Sequence, residues 1–146
     1  EQALEAFKLT KKVGIQTVAY FMFGCPGETR NQMSETIEFA KQLNPDYCHF
    51  TILVPFPGTP LYAEGLAGGI LRRDYWREFA QNPTRDFKPE LWVEQVPREE
   101  LENVLVRAYK EFYMRPSYLL KKVTELRSLG ELKRKLQAGF HMLRSM

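Results

Sequence analysis

Two rhythms of apolar residues run along this chain. Leu4, Phe7 and Val13 fall in helical register across the first turns, and Gly14 follows where a helix C-terminus is expected. The spacing therefore predicts a helix over Glu1 to Lys12. Ile15 to Phe23 (IQTVAYFMF) is nearly continuous in apolar character and rich in β-branched and aromatic residues, as a strand covered on both faces is. Thr29 opens a second helical pattern, with Gln32 three residues on in the T-x-x-Q form of a capping box. Met33, Ile37, Ala40 and Leu43 carry it until Asn44-Pro45-Asp46 breaks it. Tyr47 to Val54 (YCHFTILV) then reads as a second strand.

Strand, helix and strand within about forty residues form a βαβ unit, with a parallel pair and a right-handed crossover. The fold class is α/β, part of an open sheet or barrel. Two parallel strands do not make a stable sheet alone, so further strands are expected upstream. A helix already in register at Glu1, with no initiator Met, adds the expectation of a piece of something longer. Beyond the strands, PFPGTPLY (Pro55 to Tyr62) reads as a stiff turned loop and Ala63 to Gly69 as loop or short helix. Tyr75 to Pro97 reads as irregular and aromatic. Leu101, Val104, Leu105, Ala108, Tyr109 and Phe112 mark an amphipathic helix that Arg115-Pro116 ends. Ser117 and Ser128 read as caps of two more helices, Ser128 forming a second capping box with Glu131.

Composition narrows the classes. The 146 residues suit one domain, and 44% hydrophobic with 27% charged residues is a globular balance. No apolar run approaches the ~20 residues of a membrane helix. Glu1 to Ile15 has neither the apolar core nor the cleavage site of a signal peptide. Cys25 and Cys48 lie far apart and outside any C-x-x-C spacing, so a disulfide scaffold is excluded and a cytoplasmic, reducing compartment is expected. The net charge of +3 is uneven: Arg115 onward holds eight Lys/Arg against two Asp/Glu, the rest thirteen against sixteen. That basic tail suits an anionic partner, but leucines at helical spacing among the charges favour packed helices with solvated lysines. No nucleic-acid-binding motif is present.

Candidate chemistry gathers in the two strand-end loops, because ligands of open α/β sheets and barrels bind at strand carboxyl ends. GCPGET (Gly24 to Thr29) follows the first strand and PFPGTPLY the second. Glycine lets backbone approach a ligand and proline holds the loop in shape. Glu28 is either a carboxylate favoured by the helix dipole or an acceptor for a ligand amine or hydroxyl. Cys48 and His49, as strand neighbours, point to opposite faces, which favours a core cysteine over a metal ligand. Walker, G-x-G-x-x-G and G-x-S-x-G motifs are absent, and no His-centred triad can be argued.

The run from Phe21 to Tyr62, with Gly24, PGET (Pro26–Thr29), Thr36-Ile37-Glu38-Phe39-Ala40, Pro45-Asp46, Pro55 and PGTPLY (Pro57–Tyr62), resembles the C-terminal half of a radical S-adenosylmethionine catalytic domain. It is closest to the subclass with an upstream cobalamin-binding domain, which includes methyltransferases. Ala108 to Lys121 (AYKEFYMRPSYLLK) resembles that subclass's helical extension. The resemblance implies the last two βα units of a partial (β/α)6 TIM-like barrel over residues 1–70, and a mostly helical extension over 71–146. It implies an Fe–S oxidoreductase or methyltransferase acting on a small-molecule substrate through S-adenosylmethionine and a [4Fe–4S] cluster, with cobalamin as a further cofactor upstream. The family's C-x-x-x-C-x-x-C cluster motif is absent, and Cys25 is not one of its ligands. No catalytic or metal-ligating residue is therefore assigned, and the chain is expected to be inert without the upstream half of its barrel. By position, Phe23, Gly24, Pro26, Glu28, Val54 and Pro55 are implied cofactor-binding residues. Pro57, Gly58 and Thr59 are implied to line the substrate side. The alternative is a non-catalytic scaffold derived from a barrel, docking a partner through its basic C-terminal helices.

Overall fold

The computed structural model describes residues 1–124. The order is α1 (Gln2–Lys12), β1 (Val18–Phe23), α2 (Arg30–Leu43), β2 (Tyr47–Ile52), α3 (Pro60–Ala67), α4 (Tyr75–Gln81), α5 (Arg98–Tyr113) and α6 (Pro116–Thr124). The chain divides into two compact units, Glu1–Leu105 and Val106–Met146, the division falling inside α5.

The first unit is α/β and is built on one parallel pair. Val18 faces Tyr47 and Phe23 faces Ile52 across the ladder. Both strands are shorter than their apolar runs because each needs the other. Ile15 and Gln16 precede the first partner, Tyr47, and stay exposed. Beyond Ile52 the ladder ends at the bond from Leu53 N to Phe23 O, since the chain turns away at Gly24 (φ +78°). The crossover helix α2 buries Met33, Ile37, Ala40 and Leu43. With Ala19, Phe23, Cys48 and Phe50 from the strands, these residues form the core on one side of the sheet. Each large side chain buried there contributes roughly 1.5–3 kcal/mol. Phe23 and Phe50 stack with ring centroids 5.7 Å apart.

Polar groups set the entry to both strands. Thr17 N and Oγ1 donate to Asp46 Oδ2 at 2.9 and 3.0 Å, and Asp46 N returns a bond to Thr17 Oγ1. Thr17 and Asp46 are both buried, and together they pin the start of β1 to that of β2. The capping box at Thr29 and Gln32 forms as its spacing predicts, Thr29 N donating to Gln32 Oε1 at 2.8 Å. On the opposite face of the sheet Val18, Tyr20, Met22 and Tyr47 are exposed apolar or aromatic side chains.

The short helix α3 covers most of the stretch read as loop or short helix and starts three residues earlier, inside the loop expected over Pro55 to Tyr62, while α4 lies where irregular chain is expected. Thr59 caps α3, accepting from Tyr62 N, with Pro60 at the first helical position. Asp74 caps the short α4 through a bond from Arg77 N. Tyr62, Leu71 and Tyr75 form a second small core, on which Leu66, Trp76 and Phe87 pack.

In the described part of the second unit, Phe112 and Tyr118 pack with centroids 5.5 Å apart, and the Arg115 guanidinium lies 4.3 Å from the Phe112 ring centre. Ser117 is not a cap: α6 starts at Pro116, whose fixed φ suits the first helical position. The helix expected to start at Ser128, and most of the basic tail, lie outside the described residues. No helix among the described residues is long and apolar enough to cross a membrane.

Candidate functional site

The first strand-end loop is held by two carboxylates, one its own and one from a distant segment. Cys25 O accepts from Glu28 N, turning the loop back on itself. Glu28 Oε2 accepts from Gly24 N at 2.6 Å and from Cys25 N at 3.1 Å. Glu94 reaches in from the segment before α5, and its Oε2 accepts from Gly27 N at 3.0 Å and from Trp92 Nε1 at 3.2 Å. These bonds, Gly27 N–H foremost and Trp92 next, hold the Glu94 carboxyl below its usual range. One turn further, Arg30 forms a two-pronged pair with Glu100, Nε to Oε1 at 2.5 Å and Nη2 to Oε2 at 2.7 Å. Glu94 and Glu100 are missing from the sequence-derived site. Their partners lie 67 and 70 residues away, beyond the reach of any local motif.

What remains at this loop is a crevice of about 10 Å³, lined by Gly24, Glu28, Met33, Trp92 and Leu101 among others. That is room for about one water. Phe23 and Pro55 are closed off from solvent, Val54 and Glu28 are half-buried, and Pro26 is exposed. A Cβ on Gly24 would point at Leu101, 3.4 Å from Cδ2, and at Ile52. The positive φ, with no ligand, already accounts for a glycine here.

The two cysteines are separate in kind. Cys48 is buried while His49 beside it is exposed, the alternation expected of a core cysteine. Cys25 is exposed, and its thiol is pushed up first by partial burial and then by the Glu28 charge, which favours the protonated form. No group of three or more His, Cys, Asp or Glu among the described residues could hold a metal. These residues do not fit an iron–sulfur cluster.

The second loop opens onto a larger space. Pro55 O accepts from Tyr75 Oη at 2.8 Å and Trp76 Nε1 at 3.1 Å, which ties the loop to α4. Phe56, 57% exposed, stacks on Trp76 with centroids 5.3 Å apart. Between α3 and α4 lies a groove of about 720 Å³. Pro57, Gly58 and Thr59 line it together with Tyr62, Trp76 and Arg77. The structure thus brings these three together at one opening and puts Gly24 and Glu28 at another.

Fold and loops define an α/β chain built on one parallel βαβ unit, with its turned loops at the strand carboxyl ends. The comparisons add relatives. The chain is 35% identical over 125 residues to a protein of Pyrococcus horikoshii named an uncharacterized methyltransferase, covering 86% of this chain and 26% of that protein. It is 29% identical over 145 residues to the anaerobic magnesium-protoporphyrin IX monomethyl ester cyclase of Rubrivivax gelatinosus, covering 96% and 25%. The cyclase of the same name from Cereibacter sphaeroides matches at 29% over 111 residues, covering 76% and 17%. The chain spans about a quarter or less of the length of these relatives, all named as enzymes. No family model and no solved structure matches it.

Proposed function

We propose that the chain is the C-terminal part of a radical S-adenosylmethionine enzyme, an Fe–S oxidoreductase or methyltransferase, and contributes two walls of its cofactor and substrate pocket. The observation that carries the reading is the joint similarity to a named methyltransferase and to two named cyclases over most of this chain. The apolar face of the β1–β2 pair supports it, because Val18, Tyr20 and Met22 are exposed there and an upstream half-barrel would cover them. On this reading the last two βα units of a partial (β/α)6 barrel lie within residues 1–70, and 71–146 extend them.

The cluster ligands, S-adenosylmethionine contacts and any cobalamin belong largely to other parts of the protein. Phe23, Gly24, Pro26, Glu28, Val54 and Pro55 form the cofactor side, with Glu28 holding the loop in shape through Gly24 N and Cys25 N. Pro57, Gly58 and Thr59 form the substrate side. The chain alone is inert, since its two cysteines do not make a cluster site. The test is anaerobic reconstitution of the full-length parent with iron and sulfide. Cluster absorbance, and 5′-deoxyadenosine released from S-adenosylmethionine on reduction, is the expected result. A parent with neither refutes the reading and leaves a scaffold that docks a partner through its basic C-terminal helices.

A further inference from the structure

We propose that the groove between α3 and α4 binds a small molecule with an apolar body and a carboxylate, the carboxylate paired to Arg77. The inference deepens the reading above, taking Pro57, Gly58 and Thr59 as its substrate side. Its volume of about 720 Å³ lies within the range of small-molecule sites, roughly 300–1,000 Å³. Its walls are set before any ligand arrives. The Trp76 ring is held by the bond from its Nε1 to Pro55 O and by stacking on Phe56. The Tyr62 hydroxyl donates to Asp74 Oδ1 at 2.7 Å, and the same oxygen accepts from Arg77 N and caps α4. Burial first, and the Asp74 bond next, push Tyr62 up to about 12, so it stays a neutral donor.

The charged groups then differ in availability. Asp74 is tied to the wall through Oδ1, which accepts from Tyr62 Oη and Arg77 N, whereas the Arg77 guanidinium has no hydrogen bond or ion pair among the described residues. Its neighbour Arg73 is already taken by Glu78 at 2.7 Å and lies 3.8 Å from Glu90. The remaining lining is apolar, with Pro60, Ala63, Leu66 and Ala80 on the two helices. Apolar walls select an apolar body, and the unpaired guanidinium of Arg77, one of the lining residues, selects an acid through a charge-assisted bond.

The test is a fluorescence titration of the 146-residue chain with 1-pyrenebutyrate and with its neutral analogue 1-pyrenebutanol. The acid is expected to bind about tenfold more tightly than the alcohol. Arg77→Gln should bring the two to equal affinity, and Ala63→Trp, which fills the groove, should abolish binding of both. Where circular dichroism shows that Ala63→Trp does not fold, Ala80→Phe on the opposite wall takes its place. Equal affinities in the unsubstituted chain, a preference that survives Arg77→Gln, or binding that survives a folded groove-filling variant overturns the proposal. Neither probe needs the cluster, so a parent that releases no 5′-deoxyadenosine refutes the radical reading without touching this result. Equal probe affinities likewise leave that reading standing.

Discussion

Replacing Gly24 by alanine and by valine separates two costs at the first loop. Gly24 sits at φ +78°, where a Cβ costs roughly 1–2 kcal/mol. Alanine recovers about 0.4–1 kcal/mol by restricting the unfolded chain, so the net loss should be about 1 kcal/mol. The new Cβ would lie 3.4 and 3.5 Å from the two Leu101 methyls and 3.6 Å from Ile52 Cγ2, which is close to ordinary contact and adds little. Gly58→Ala is the control, with φ +80° and nothing within 4 Å of its Cβ. The two alanine variants should match within about 0.5 kcal/mol, because both carry the same backbone cost. Gly24→Val pushes two further methyls into the Leu101–Ile52 wall and should lose a further ~1–3 kcal/mol. Urea unfolding followed by tryptophan emission measures this, since Trp76 and Trp92 both lie in the first unit. A Gly24→Val variant no less stable than Gly24→Ala would show that the wall is not closed there. The same cost means that a loss of S-adenosylmethionine affinity in a Gly24→Val parent counts as a pocket effect only if the parent remains folded.

Three further outcomes are expected. Asp46→Ala leaves Thr17 N buried without its acceptor and should cost about 1–3 kcal/mol by urea unfolding, whereas Asp46→Asn, which keeps an oxygen for both donors, should cost clearly less. Glu94 has its folded pKa held below the ordinary 4.5. Its contact therefore stabilises the fold fully above the unfolded value and is lost as pH falls through the folded one. Unfolding below pH 4.5 should accordingly be less steep in pH for Glu94→Gln than for the unsubstituted chain, and equal slopes would remove Glu94 from the account. Cys25, its thiol raised by burial and by Glu28, should react with iodoacetamide at neutral pH more slowly than a free cysteine, and Cys48 should not react in the native chain. Peptide mapping after a timed alkylation reads both.

Legibility along the chain followed the range of the forces. The α2 boundaries were readable because a capping box at Thr29 and Gln32 and a break at Asn44-Pro45 are local events, settled within a turn or two. The βαβ order was readable for the same reason: period and breakers identify strand, helix and strand without knowing what they touch. A short helix near α3 was readable, but its start at Pro60 and the whole of α4 behind Asp74 were not, because the density of prolines and aromatics around them masked those local start signals. The lengths of β1 and β2 were not local, because a ladder ends where its partner ends, whatever the apolar run does.

The two candidate openings divide along the same line. That Gly24–Thr29 and Pro55–Tyr62 are stiff loops at strand carboxyl ends follows from residue order alone. Which of them has room did not. Glu94 and Glu100 return from about seventy residues away to bond Gly27 and Arg30, and Trp92, Glu94 and Leu101 wall the first loop's small crevice. Trp76 reaches the second loop through its bond to Pro55 O, and Trp76 and Arg77 of α4 line the groove with Tyr62, Ala63 and Leu66 of α3. Hydrogen bonds and volumes of this kind join residues that share no local pattern, so folding alone brings them together.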